Sequence, residues 1–196
     1  MPTLHATLIR GGNGMFGIPL HPLVVHFPIV LAMLLPISVV VALWVVRKSA
    51  TPRRAWAVPL TVAAALTLSA WAATETGESQ EDRVERVVPR GALHGHEESA
   101  ERFLVLSGVL LVVTAGGLVR GTVGRAARYV AAAGAIGLVG AAAQVGHSGG
   151  TLVYRHGAAS AYTEPRAGAN REVGRTDSAA TGESRERFAR GDREER

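Results

Sequence analysis

Seven histidines are the residues of this chain best suited to chemistry, and most of them lie near the ends of long apolar stretches. They are His5, His21, His26, His94, His96, His147 and His156. A neutral imidazole has a lone pair that binds haem iron, zinc or copper. Because the chain has no cysteine, thiolate zinc sites, cysteine-ligated iron–sulfur clusters and covalently attached haem are excluded. Any metal must be held by nitrogen and oxygen ligands.

The motif HPLVVHFPI, residues 21–29, carries the first histidine pair. His21 precedes a proline, which favours an extended conformation, whereas His26 lies more than one helical turn deeper in the apolar stretch. Five residues correspond to about 140° around a helix, so the two imidazoles do not share one face. We therefore favour His26 as a ligand. The alternative is a neutral imidazole hydrogen-bonded near the lipid headgroups.

The motif HGHEESAER, residues 94–102, stands before the third apolar stretch. If a helix begins ahead of that stretch, His94, Glu98 and Arg102 fall on one face at positions i, i+4 and i+8. This stripe could bind a metal, or it could orient a ligating histidine through a carboxylate. Equally, acidic residues in a first turn complement the helix dipole without any ligand.

The motif QVGHSGGTLVYRHG, residues 144–157, ends the fourth apolar stretch. Gln144 and His147 lie on one helix face at i and i+3. We predict that Gly149 and Gly150 turn the chain, so that the apolar residues 152–154 fold back over the mouth of the bundle. A simple helix stop would explain the glycines, but not the whole run.

Four apolar stretches, at about residues 22–46, 55–73, 103–119 and 129–146, contain no Asp, Glu, Lys or Arg. Each approaches or exceeds the roughly 17 to 25 helical residues that cross a hydrocarbon core. The predicted fold is all-α, an up-down antiparallel four-helix transmembrane bundle over residues 20–157. We expect a flexible N-terminal segment at residues 1–19 and a disordered Arg/Glu-rich tail at residues 158–196.

The loops predict an orientation in the membrane. Arg47, Lys48, Arg53 and Arg54 follow the first stretch with no acidic residue among them, and the loop at residues 120–128 is likewise basic without an acid. Short basic loops face the cytoplasm. We therefore expect a multi-pass protein of the plasma membrane, with both termini and all seven histidines outside.

Several classes of function are disfavoured by the composition. The formal net charge of +5 follows from the basic loops of the membrane domain, and the arginines of the tail are balanced by its acidic residues, so we expect no nucleic-acid partner. Spans without ionisable residues are unlike those of ion pumps and channels. No nucleophile is paired with a base, because Ser148 lies in the predicted glycine turn without a fixed acidic partner. We expect a protein that is not an enzyme.

The chain resembles a family of small bacterial membrane proteins, the domain of unknown function 2231. The resemblance covers about residues 20–157 and rests on HPLVVHFPI, on TETGE at residues 74–78, on a histidine opening the third span and on GGTLVYRHG at residues 149–157. It implies a four-helix membrane domain, joined to redox modules in some related chains, and it supplies no settled activity. The matched motif positions are His21, His26, His94, Gly149, Gly150, Tyr154 and His156.

Three hypotheses follow. In the first, the protein is a redox-associated accessory subunit that binds haem b. Bis-histidine ligation in a bundle needs neutral imidazoles from different helices at one level, and we expect His26 with either His94 or His147. Arg102 or Arg155 would meet the haem propionates, and the electron partner would be an external protein.

In the second hypothesis, the outer face holds a divalent metal, since imidazole and carboxylate ligands suit zinc, copper or iron. The candidate ligands are His21, His26, His94, His96, Glu98, His147 and His156, with His94, His96, Glu98 and His147 as the central set. In the third hypothesis, the protein is a scaffold in the lipid bilayer whose outward motifs bind another membrane protein.

Overall fold

The computed structural model describes residues 20–48 and 52–163, and within these ranges the regular elements are all helices. In chain order they are α1 (Leu20–Val24), α2 (His26–Lys48), α3 (Pro52–Glu78), α4 (Glu81–Val84), α5 (Arg90–Gly116), α6 (Gly121–Tyr154) and α7 (Ser160–Thr163). The predictions for His5, for residues 1–19 and for the tail from residue 164 onward lie outside the described residues. The all-α prediction is confirmed.

Four of these segments are long and apolar enough to cross a membrane: Leu20–Lys48, Arg53–Glu78, Arg90–Gly116 and Gly121–Tyr154. Helix α2 packs on α3, α3 on α5, α5 on α6, and α6 returns to α2. Consecutive spans are therefore neighbours, which gives the predicted up-down four-helix bundle. The bundle belongs to a single compact unit that ends at Ala161.

The core of the bundle is built largely from small residues. Ala32, Ala63, Ala131 and Ala135 are at most 1% exposed, and leucines and valines fill the spaces between them. Small side chains let helix backbones approach closely, which is the main packing device available to helices in lipid. Large apolar side chains such as Met33 instead point outward. That arrangement is costly in water and suits a hydrocarbon surrounding.

The helices extend beyond the apolar stretches at the end that carries the histidines. Helix α5 begins at Arg90, so the HGHEESAER motif is helical, as the stripe hypothesis requires. Helix α6 continues to Tyr154, and the predicted turn at Gly149 and Gly150 is wrong. Each helical glycine costs only about 1 kcal/mol relative to alanine, which a long packed helix tolerates.

The chain turns instead at Gly157, whose φ of +68° favours glycine. The Ala158 N–H then bonds back to the carbonyl of Leu152 at 3.0 Å. Leu152 and Ala158 are buried with Val88 and Leu93 in a small second core beside the end of α6. Of the apolar residues 152–154, only Leu152 is covered by the chain around α4 and α5, whereas Val153 and Tyr154 are exposed at the end of α6 and do not fold back as a flap.

A break separates α1 from α2 at Val25. Pro28 accounts for it, because a proline has no N–H to donate to the carbonyl four residues earlier, here that of Val24, and its ring crowds that carbonyl. Helix α1 stays joined to Val25 by the hydrogen bond from the Val25 N–H to the His21 carbonyl at 3.1 Å, and it contacts both α3 and α2. This break sets the position of His21.

Candidate functional site

Two histidines from different helices meet at one end of the bundle. His21 lies on α1 and His96 on α5, and their ring centroids are 6.3 Å apart with an angle of 80° between the ring planes. Both residues are partly buried. The sequence places them 75 residues apart, so only the packing of α1 against the bundle brings the rings together.

His21 is held by α3. Its Nδ1 lies 2.9 Å from the carbonyl oxygen of Ala73, in the last part of that helix. The ring lies against Gly77, where an added Cβ would come within 3.3 Å of both Cε1 and Nδ1. The TETGE motif thus has a local role, since its glycine leaves the space that the His21 imidazole fills.

His96 is held in the same manner by α6. Its Nδ1 lies 2.9 Å from the hydroxyl oxygen of Ser148, and that hydroxyl donates to the carbonyl of Val145 at 2.9 Å. The imidazole rests on Gly149, where an added Cβ would stand 3.1 Å from Cε1. The HSGG sequence therefore supplies one hydrogen-bond acceptor and one gap for this ring.

These hydrogen bonds assign the proton on each ring. A carbonyl oxygen only accepts, so Nδ1 of His21 carries the hydrogen. The Ser148 hydroxyl oxygen lies 2.9 Å both from the Val145 carbonyl and from Nδ1 of His96; when its one proton is donated to Val145, Nδ1 of His96 is the donor. In a neutral imidazole the other nitrogen then has a free lone pair. Both rings consequently present Nε2 as an acceptor or a metal ligand.

The pair borders an apolar cavity of about 350 Å³. All the spanning segments contribute to its wall, and the lining is apolar apart from the histidines and one threonine. The lining residues include His21, His26, Thr74, His96, Phe103 and Val153. Binding sites for small molecules and cofactors have this character, with an apolar wall and a few fixed polar groups.

The three histidines predicted as haem ligands, His26, His94 and His147, do not share one environment. His26 lines the same cavity but is exposed. The His94 side chain is 80% exposed and lies 3.8 Å from the Glu97 carboxylate, and His147 is exposed on α6. These three histidines therefore occupy different surroundings, and only His26 borders the cavity.

The other candidate residues lie around the same end of the bundle. Arg102 forms an ion pair with Glu98, as their spacing on α5 predicts. Arg155 is exposed directly after α6, and His156 is half-buried. Their predicted roles toward propionates or a metal stay predictions. Among residues 20–48 and 52–163, no group of three or more histidine, aspartate or glutamate side chains could hold a metal ion.

The sequence reasoning missed the pairing of His21 with His96, although one signal pointed to His96. The buried side of α5 contains Phe103, Ser107 and Leu110 at spacings of four and three, and Leu93 continues the same side ten residues before Phe103. His96 belongs to this stripe, whereas His94 is one residue beyond it on the outer side. Extending the buried period of the span backward would have favoured His96.

The comparisons with known proteins identify a family and nothing more specific. No curated protein and no solved structure matches the chain. The model of one family, described as a predicted membrane protein with the domain of unknown function DUF2231, matches residues 17–161. That range includes every described helix from α1 to α6 and both imidazoles of the pair. The chain belongs to the DUF2231 family of predicted membrane proteins.

Proposed function

We propose that this protein binds haem b in the membrane, with His21 and His96 as axial ligands, and that it serves as an accessory subunit in electron transfer. One observation carries the proposal. Two neutral imidazoles from separate helices face the same apolar cavity, and each has its Nδ1–H fixed and its Nε2 lone pair free. Ligating histidines are usually fixed in this way through their second nitrogen.

The number of imidazoles favours haem over a non-haem metal. A protein-only zinc site needs three or four side-chain ligands, and no such group occurs among the described residues. Haem supplies four equatorial nitrogens itself and takes two ligands from the protein. His21 and His96, whose ring centroids lie 6.3 Å apart, would supply those two ligands.

The cavity and its surroundings suit a redox role rather than catalysis on a substrate. Bound haem would supply reversible one-electron chemistry. The chain's own residues would contribute two imidazole nitrogens as iron ligands and a largely apolar wall around the group. The Ser148 hydroxyl accepts a hydrogen bond from His96 and orients that ring. In this arrangement His96 does not activate Ser148 as a nucleophile.

We also propose the orientation in the plasma membrane. The basic residues flanking the α2–α3 and α5–α6 connections lie at the end opposite the histidines, which favours a cytoplasmic location for that end. The His21–His96 pair would then lie toward the outer surface. An external redox protein could approach the cavity from that side.

Absorption spectroscopy of the full chain tests the haem assignment. The protein is produced in a haem-supplied bacterial host, extracted in mild detergent and measured for a Soret band and for pyridine-haemochrome content. We expect about one haem per chain, and loss of most of the pigment in His21→Ala and in His96→Ala. His94→Ala and His147→Ala are the matched controls, because both histidines are exposed, and these variants should keep the wild-type spectrum.

Three outcomes would contradict the proposal. A colourless wild-type protein that carries stoichiometric zinc or copper would favour the non-haem metal hypothesis. A folded protein with neither pigment nor metal would favour the scaffold hypothesis. A spectrum that depends on His94 or His147 rather than on His21 and His96 would refute the assigned ligand pair.

A further inference from the structure

A second cavity lies on the outer surface between α2 and α3, toward the end of the bundle away from the histidines. It measures about 350 Å³ and is lined by residues 34–45 of α2 and residues 55–62 of α3. Its walls are apolar except for Ser38, whose hydroxyl is already donated to the carbonyl of Leu35. Several wall residues, among them Ile37 and Val41, are more than half exposed to the surroundings.

The length of this groove matches one membrane leaflet. From Leu34 to Val45 the helix rises about 16 Å, which is roughly half of the 30 Å hydrocarbon core. The groove therefore has the reach of a single acyl chain that enters from the interface and ends near the bilayer centre. Acyl chains of this length surround every pair of membrane helices, so a lipid is the ligand that matches the groove.

A basic residue follows each wall of the groove toward the membrane interface. Lys48 stands three residues after Val45, and Arg54 stands four residues before Val58, so each lies on the groove-lining side of its helix. Both side chains are exposed, and the Lys48 ammonium lies 4.4 Å from the ring centroid of Trp44. No acidic residue occurs between Leu20 and Thr74 or between Phe103 and Thr163 to neutralise this end.

We propose that the groove between α2 and α3 is a specific site for an anionic phospholipid. One acyl chain lies in the groove, and the headgroup phosphate is bound by Lys48 and Arg54. Apolar surface and paired cations at the correct depth are the two features that such a lipid requires. The proposal does not depend on the haem assignment, because the two sites lie at opposite ends of the bundle.

Native mass spectrometry of the detergent-solubilised full chain tests this site. The protein is titrated with dioleoyl phosphatidylglycerol and, separately, with dioleoyl phosphatidylcholine. We expect one high-affinity phosphatidylglycerol and no comparable phosphatidylcholine. Removing one cation should weaken binding about fivefold, the factor equivalent to about 1 kcal/mol, so the double variant Lys48→Gln with Arg54→Gln should lose more than tenfold.

Two further variants separate the parts of the proposal. Arg120→Gln removes one exposed cation from the α5–α6 connection, which contributes no residue to the groove lining, and should bind phosphatidylglycerol as the wild type does. Val41→Trp fills the groove and keeps both cations, and it should reduce binding severalfold. Equal binding of the two lipids, or equal losses in the double variant and in Arg120→Gln, would overturn the proposal. Unchanged binding by Val41→Trp would overturn the role of the groove.

Discussion

The contact between His96 and Gly149 gives a quantitative test of how the site is built. In Gly149→Ala the new Cβ would stand 3.1 Å from Cε1 of His96, a distance that side-chain carbons rarely adopt. The ring must retreat by a few tenths of an ångström. It cannot do so freely, because Nδ1 is bound to the Ser148 hydroxyl at 2.9 Å. Either the contact is compressed or this hydrogen bond lengthens.

Gly140→Ala is the matched control for this variant. Gly140 lies in the same helix, and an added Cβ there meets nothing within 4 Å. Both substitutions replace a helical glycine, so their shared gain in helix propensity of about 1 kcal/mol cancels in the difference. What remains is the cost of overpacking, for which 1 to 3 kcal/mol is typical. Because the displacement is small, we expect a difference of about 1 to 2 kcal/mol.

The difference is measured by reversible unfolding of both variants in mixed detergent micelles, with the haem content of each recorded in parallel. Gly149→Ala should be the less stable protein and should retain less pigment. If the two alanine variants unfold at the same denaturant concentration and bind equal haem, then Gly149 does not make room for His96, and the described site is wrong at this contact.

Two further predictions concern single hydrogen bonds. Ser148→Ala removes the acceptor for His96 Nδ1–H and should destabilise the protein by about 0.5 to 1.5 kcal/mol. The control is Ser99→Ala in α5, because the hydrogen bond of this exposed serine stays within its own helix. Equal unfolding stability of the two variants would contradict the prediction. Trp56→Phe removes the fully buried bond from Nε1 to the Thr114 carbonyl at 2.8 Å and should cost about 1 to 3 kcal/mol in the same assay. Trp71→Phe, at a 55% exposed position, should be nearly neutral, and a Trp56→Phe variant as stable as this control would refute the role of the bond.

The architecture was predictable because the lipid bilayer fixes the length of each span and excludes charged residues from it. Four uncharged stretches required four helices, and short connections required antiparallel neighbours. The ends of the helices were harder to predict from the sequence. Residues 90–102 are polar enough to lie outside the hydrocarbon, so their sequence has no apolar run to mark the helix that nevertheless continues through them.

The site was harder to predict than the fold because it depends on a break and on two gaps. The 140° separation of His21 from His26 assumes one continuous helix, and the interruption at Val25 removes that assumption. The spaces for the rings come from Gly77 and Gly149, which lie far from the histidines in the chain. Glycines in a helix are usually interpreted as weak points or turns. Only the packed bundle identifies them as contact surfaces for imidazoles.

The interruption at Val25 makes the two imidazoles unequal in their anchorage. His96 is embedded in a 27-residue helix, whereas His21 belongs to a five-residue segment. Its ring is held by the hydrogen bond to Ala73 and by the contact with Gly77, and its carbonyl accepts the Val25 N–H. Unravelling this first turn would withdraw His21 and leave α2, α3, α5 and α6 in place. Local unfolding of this turn would therefore open the cavity beside the pair without unfolding the rest of the bundle. The same small motion would separate His21 from His96.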